Sequence, residues 1–216
     1  MSAEKEYGGV FEKVKSMVSG GSVRQITPVS GLNLPWLLAR CDCAYREMIP
    51  LLRGSIFIKE NGERREYYSM LLEMINDIVN SLNLIYRETR RSAKGRKVEP
   101  DPCLPVLNVI KQSLQLLYQG AVLTEELQNR SAASSLFGGA GVISNFNGIE
   151  DSVSNMEVEL LHNLSNLFDS IAPAMQRAGE LRKKALSKNG LECYVRAEKE
   201  LTGYYGVDTG KGDHGK

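Results

Sequence analysis

The sequence is poor in the residues on which most nucleophilic and acid–base catalysis depends. Its 216 residues include only two histidines, His162 and His214, and four cysteines. A Ser-His or Cys-His catalytic pair therefore has almost no candidates, and the second histidine lies close to the C-terminus. We expect a non-catalytic protein that uses no cofactor and no small-molecule substrate.

The sequence also lacks long apolar runs and any excess of one charge sign. No stretch approaches the roughly 18 consecutive apolar residues of a membrane-spanning helix, and the N-terminal residues MSAEKEYGGV lack the basic and then apolar pattern of a signal peptide. Lys and Arg number 27 against 26 Asp and Glu, which leaves a formal net charge of +1. We therefore expect a soluble, cytoplasmic protein with no membrane partner, and any attraction to nucleic acid must come from local clusters of charge.

What the sequence does contain is helical periodicity. In the segment 66–91, large apolar residues recur at intervals of three and four, and neither Gly nor Pro interrupts them. This row consists of Tyr68, Leu71, Ile75, Ile78, Leu82 and Ile85. The segments 34–52, 104–128 and 153–188 repeat the same spacing, so we predict an all-α bundle of four to six helices organised around the 66–91 helix.

Local signals divide the chain further. Asn61-Gly62 follows a β-branched and aromatic run, which predicts either a small β-hairpin near residues 55–65 or a tight turn leading into the 66–91 helix. The Gly-, Ser- and Asn-rich residues 131–149 are typical of a long loop. We predict one α-helical domain over residues 1–205, containing this loop, and a flexible tail over residues 206–216.

The long helix near residues 153–188 should begin and end at recognisable residues. Ser154 with Glu157 has the spacing of a capping box, and Asn189-Gly190 is typical of a helix stop. Pro50 and Pro173 should kink or end their helices.

Two patterns raise the question of a metal site. Glu159 and His162 have the Glu-x-x-His spacing of di-iron bundles, but such sites need that motif twice. The four cysteines could together form a thiolate zinc site, yet they lack paired Cys-x-x-Cys spacings. They are Cys41, Cys43, Cys103 and Cys193. We favour a solvated helix face for the first pattern and small buried residues for the second, so we expect no metal.

The glycine-rich residues 137–141 lack the Gly-Lys-Ser/Thr of a phosphate-binding loop and do not follow a predicted strand. We interpret them as part of the loop, available as a docking arm.

Two basic clusters are the strongest functional signal. The first has six cations against Glu88 alone, and consists of Arg87, Arg90, Arg91, Lys94, Arg96 and Lys97. The second has five cations against Glu180, and consists of Arg177, Arg182, Lys183, Lys184 and Lys188. Both lie at predicted helix C-termini, where cations also stabilise the helix by about 0.3 to 1 kcal/mol each through its dipole.

That dipole effect is the simpler explanation of the clusters, but both are denser than it requires. Nearby tyrosines could stack on bases, namely Tyr86, Tyr194, Tyr204 and Tyr205. The clusters therefore also fit salt-sensitive contacts with a nucleic-acid backbone.

These observations favour a non-catalytic helical subunit of a larger assembly. It would be a self-assembling structural protein or a subunit of a nucleoprotein complex, with copies of itself, other protein subunits and the RNA or DNA backbone as partners. The alternative is a protein–protein adaptor without nucleic-acid contact, and a third hypothesis is a metal-bundle protein or an enzyme.

Overall fold

The computed structural model describes residues 33–54, 61–94, 97–135 and 140–205. These residues form five α-helices and no strand, which confirms the all-α bundle. The helices are α1 (Leu34–Gly54), α2 (Asn61–Ser92), α3 (Leu104–Ser135), α4 (Ala140–Lys184) and α5 (Lys188–Tyr205).

The first four helices form a ring, in which α1 packs on α2, α2 on α3, α3 on α4, and α4 back on α1. The fifth helix packs against the outside of the ring, on α1. Helix α1 therefore packs against three of the other described helices, and it links the ring to α5. The prediction that the 66–91 helix is the organising element was wrong, because that helix, now α2, packs mainly on α1 and α3.

The central place of α1 follows from its side chains. Apolar residues cover more than one face of it, so each face meets a different neighbour. Its buried residues are Leu37, Leu38, Ala39, Cys41, Cys43, Ala44, Met48, Leu51 and Leu52. Small residues among them let neighbouring helices approach closely.

The row of apolar residues predicted for α2 is buried as expected, from Tyr68 to Ile85. Polar contacts then fix α2 to its neighbours. Buried Asp77 receives hydrogen bonds from Arg40 of α1 and from the hydroxyl of Tyr205 at the end of α5. This carboxylate therefore joins three helices and sets the position of the C-terminal helix.

Two predicted connections are largely helical. Residues 61–65 form the first turns of α2, so the hairpin prediction was wrong there, and residues 55–60 lie outside the described residues. Residues 131–135 complete α3 and residues 140–149 begin α4, so the loop prediction was wrong for these residues as well. The glycine-rich residues 137–141 lie mostly outside the described part. Ser and Asn cost at most about 0.7 kcal/mol each relative to Ala in a helix, and an established helix propagates through them easily.

The predicted boundaries of the long helix also move. Because α4 already begins at Ala140, Ser154 lies inside it rather than at its start. Helix α4 ends at Lys184, and Asn189-Gly190 lies in the first turn of α5. Ser187 explains this change, because its Oγ accepts a hydrogen bond from the backbone N–H of Gly190 at 3.2 Å and so caps α5.

Neither proline ends its helix. Pro50 lies within α1 and Pro173 within α4. Near the second proline, Tyr45 stacks on Phe168 with ring centroids 4.5 Å apart. Its hydroxyl donates to the Phe168 carbonyl at 3.2 Å. The contact joins α1 to α4 one turn before the proline.

The N-terminal residues 1–32 and the predicted tail 206–216 lie outside the described residues.

Candidate nucleic-acid interface

The two basic clusters lie at the same end of the bundle. The first spans the last turns of α2 and the connection after it, and this connection leads to Asp101 just before α3. The second occupies the C-terminus of α4, where Arg182 forms an ion pair with that same Asp101. Segments that are far apart in the chain are thereby brought together. We call this surface, formed by residues 87–94, residue 97 and residues 177–188, the basic end.

The chain turns sharply at the first cluster. Helix α2 closes with a hydrogen bond from the Ala93 N–H to the Thr89 carbonyl at 3.0 Å. Lys94 then adopts a φ of 46°, the left-handed conformation that usually ends a helix at glycine. A non-glycine residue there costs about 1 to 2 kcal/mol.

Asp101 is a structural residue at this end. Its Oδ1 accepts a hydrogen bond from the Cys103 N–H at 2.9 Å, and its carbonyl accepts one from the Leu104 N–H at 3.1 Å. The carboxylate thus shapes the start of α3 while it pairs with Arg182. Burial, and then the Asp101 carboxylate, raises the pKa of the Cys103 thiol to about 11. Cys103 therefore remains a neutral thiol at physiological pH.

Lys183 is also committed to the fold. Its Nζ lies 3.0 Å from Oδ2 of Asp42 in α1 and 4.6 Å from the centre of the Tyr194 ring in α5. The Tyr194 hydroxyl donates to the same carboxylate oxygen at 2.8 Å. Burial, and then the Asp42 carboxylate, raises the pKa of Tyr194. Lys183, Asp42 and Tyr194 together hold α4, α1 and α5 in place.

The remaining cations divide into two groups. Arg91 pairs with Glu88 at 2.6 Å, and Lys97 pairs with Glu99 at 2.9 Å. The other group is exposed and has no carboxylate of the described residues within ion-pair distance. It consists of Arg87, Arg90, Lys94, Arg177, Lys184 and Lys188. Arg96 lies outside the described residues. We call this second group the free cations of the basic end.

The tyrosines proposed as stacking surfaces are less available. Tyr194 and Tyr205 are only 3% and 7% exposed, so the prediction that they could stack on bases was wrong. Tyr204 is half-buried, and its hydroxyl donates to Glu73 at 2.8 Å. Tyr86 is half-buried at the end of α2. Sequence spacing could not show this, because the apolar side of α5 buries Tyr194 and Tyr205 against its neighbours.

The residues considered for metal binding do not gather in one place. Glu159 and His162 are both exposed on α4. Cys41, Cys43 and Cys103 are buried, whereas Cys193 is exposed. Cys43 faces α5, with its Sγ 3.9 Å from the Thr202 hydroxyl. Among the described residues, no three His, Cys, Asp or Glu side chains lie close enough together to hold a metal ion.

One surface feature was not predicted from the sequence. A cleft of about 410 Å³ opens between α3 and α4, and its walls include Leu116, Gly120, Met156 and Leu160. Beneath it, Glu157 of α4 pairs with Arg64 of α2 at 3.0 Å and accepts a hydrogen bond from Tyr68. The cleft is therefore an apolar opening above a polar link between helices.

Comparisons with known protein families, curated protein sequences and solved structures gave no match for this chain. In the part of the chain that the structure describes, none of the helices combines the length and apolar character needed to cross a bilayer.

Proposed function

We propose that the protein is a non-catalytic helical subunit of a larger assembly, and that its basic end contacts the phosphate backbone of RNA or DNA. The observation that supports this most is the meeting of the two basic clusters at one end of the bundle. Arg182 and Lys183 hold the helices together there. The free cations remain available around them.

The chemistry of these cations suits phosphate. Arg and Lys side chains supply donors and charge to phosphate oxygens, and such contacts do not depend on base sequence. No helix N-terminus needs to enter a groove for this mode of binding. The expected contact is therefore general in sequence and weakens steeply as salt increases.

We expect the free cations to be the residues on which nucleic-acid binding depends. A triple variant, Arg87→Gln, Arg90→Gln and Lys94→Gln, removes three charges that form no ion pair with the described residues. We expect it to weaken binding of a short labelled oligonucleotide. The slope of log affinity against log salt should fall by about 0.7 to 0.9 for each phosphate that the variant no longer neutralises. Fluorescence anisotropy at several salt concentrations measures both quantities.

The chain offers a matched control. Arg196 and Lys199 are exposed cations in the middle of α5 and are not among the residues that form the basic end. Converting both to Gln, together with Lys111→Gln on α3, changes the net charge equally and should leave binding nearly unchanged. Equal weakening of binding in the two triple variants would show that binding depends on the overall charge of the protein and not on the basic end. Absence of binding by the wild-type protein at low salt would overturn the proposal and favour the adaptor hypothesis.

A further inference from the structure

Helix α5 is attached to the rest of the bundle less extensively than the other helices are. Of its 18 residues, only Tyr194, Ala197, Leu201 and Tyr205 are buried. Among the described helices it packs closely on α1 alone, whereas each helix of the ring packs on at least two others. Because apolar burial stabilises a contact roughly in proportion to the area that leaves water, it contributes less to holding α5 than to holding the ring together.

Polar contacts with the ring supplement this small apolar contact. Three tyrosines in α5 donate hydrogen bonds to carboxylates of α1 and α2. The pairs are Tyr194 with Asp42 of α1, Tyr204 with Glu73 of α2, and Tyr205 with Asp77 of α2. A hydrogen bond to a charged acceptor stabilises a fold more than one between neutral groups does. All three contacts break if α5 leaves the ring.

The ring keeps cations beside two of these carboxylates when α5 leaves. Asp77 also accepts a hydrogen bond from Arg40 of α1, and Asp42 also pairs with Lys183 of α4 at 3.0 Å. A buried carboxylate without a partner would strongly destabilise the remaining helices, whereas these two remain paired. The ring therefore does not depend on the tyrosines of α5 to neutralise its own charges.

The connection between α4 and α5 is short and lies outside both helices. Helix α4 ends at Lys184 and α5 begins at Lys188, so residues 185–187 join them. Changes in the backbone dihedral angles of a few such residues are enough to swing one element away from another. Leu186 packs against the core and fixes the connection to the ring. Residues 185–187 can therefore serve as a hinge for α5.

Helix α5 covers the side chain of Cys43 on α1, which is 0% exposed. The sulfur of Cys43 lies 3.8 Å from the Glu198 carbonyl and 3.9 Å from the Thr202 hydroxyl, both on α5. Nη2 of Arg46, one turn further along α1, lies 3.5 Å from the same sulfur. The pKa of the Cys43 thiol is raised, because the effect of burial outweighs that of Arg46. When α5 leaves, the burial ends while Arg46 remains on the same helix, so the thiol ionises more readily.

From these observations we infer that α5 is a lid over α1, which opens about residues 185–187 while the ring stays folded, and which thereby controls the reaction of Cys43 with disulfides. In the open state the Cys43 thiolate attacks one sulfur of a disulfide, the S–S bond breaks, and the other sulfur leaves as a thiolate. The mixed disulfide on Cys43 has no room beneath α5, so it keeps the lid open. This inference goes beyond the proposed function and does not depend on nucleic-acid binding.

Pulse labelling of the full chain with the disulfide reagent DTNB tests the separate opening, because peptide mass spectrometry then follows each cysteine individually. The exposed Cys193 should react first. Cys43 should react next, at a rate set by the opening of the lid. Cys41, which is 1% exposed and lies near Asp101 and Arg182, should react last, since unfolding of the ring is needed to reach it. Reaction of Cys43 only as slowly as Cys41 would overturn the inference.

Two variants that each remove one tyrosine hydroxyl sharpen this test. Tyr205→Phe removes the hydrogen bond to Asp77 and should speed the labelling of Cys43 by about tenfold or more. Tyr67→Phe is the matched control within the ring, because Tyr67 is 2% exposed and its hydroxyl donates to the carbonyl of Leu51. The control should leave the labelling of Cys43 nearly unchanged. Equal acceleration of Cys43 by both variants would mean that the whole bundle must unfold, which contradicts a separate lid.

Hydrogen exchange of the labelled protein tests whether the adduct holds the lid open. In a Cys193→Ser background, which removes the exposed thiol, labelling of Cys43 should make the backbone amides of α5 exchange rapidly, because a detached helix of this length is marginal in water. Helices α1 to α4 should remain protected. Continued protection of α5 would show that the adduct fits beneath it, and loss of protection throughout would show that the ring does not stay folded. Either result is incompatible with the lid.

Discussion

Helices α1 and α3 have similar apolar spacing but very different surroundings. Helix α1 has 21 residues and packs against three other helices, so apolar residues on several of its faces are buried. Helix α3 has 32 residues and packs on two helices, and its Val109, Leu116 and Leu123 side chains are exposed. Apolar content alone therefore does not show whether a residue belongs to the core or to a contact surface.

The difference has a physical cause. An apolar side chain is stabilised wherever it leaves water, whether inside its own chain or against another molecule. Helix α1 packs against α2, α4 and α5, which together cover its apolar faces. Helix α3 packs on α2 and α4, and its exposed Leu and Val residues leave an apolar surface that a partner can cover.

The largest effect should come from deleting a core side chain of α1. Leu38 is 1% exposed, so Leu38→Ala should lower the free energy of unfolding by about 3 kcal/mol, because apolar burial decreases and a cavity remains. Leu116→Ala on α3 should change it by less than about 0.5 kcal/mol in the monomer. Urea unfolding at low protein concentration measures both. Similar decreases for the two variants would contradict the contrast between these helices.

A smaller effect should come from the N-terminal end of α3, which the bundle holds firmly. Arg182→Gln leaves the buried Asp101 carboxylate without its cation and should lower the free energy of unfolding by about 2 kcal/mol. Arg177→Gln, on the exposed side of the same helical segment, should stay within about 0.5 kcal/mol of the wild type. Thermal unfolding of the two variants side by side gives the comparison. Equal stability of the two variants would mean that the ion pair between Arg182 and Asp101 stabilises the fold no more than the exposed Arg177 side chain does.

The smallest effect should come from two glycines in helices. Gly120→Ala in α3 adds a Cβ in open space and should stabilise the monomer by about 0.5 to 1 kcal/mol, because alanine loses less backbone entropy on folding. Gly179→Ala in α4 adds a Cβ 3.2 Å from Oδ1 of Asp42 in α1, which offsets this gain. Chemical denaturation distinguishes them. A larger gain at Gly179 than at Gly120 would show that α1 is less crowded than these distances indicate.

Much of the fold could be predicted from the sequence. The three-four spacing identified the cores of α1 to α4, and the row from Tyr68 to Ile85 is buried as predicted. Helix boundaries were predicted less well, because capping depends on which neighbouring residue provides the cap. Ser187 caps the start of α5, so Asn189-Gly190 lies inside a helix, although these residues often end one.

The basic end was predicted only as two groups of residues. Their charge is evident in the sequence, but which of them are free is not. The sequence does not distinguish Arg182 and Lys183 from Lys184. Their partners Asp101 and Asp42 come from distant parts of the chain and are brought beside them only by folding. Likewise, the sequence alone presents Tyr194 as a possible stacking residue, but the packing of α5 against its neighbours buries this side chain.

The sequence by itself determined that the chain is helical and where its apolar rows and basic clusters lie, because helical periodicity and charge are local properties of consecutive residues. Only the tertiary structure decided that α1 packs against three helices, that the two clusters share one end, and that Val109, Leu116 and Leu123 of α3 are exposed. Those features depend on contacts between residues far apart in the chain, whose burial and pairing no local pattern specifies.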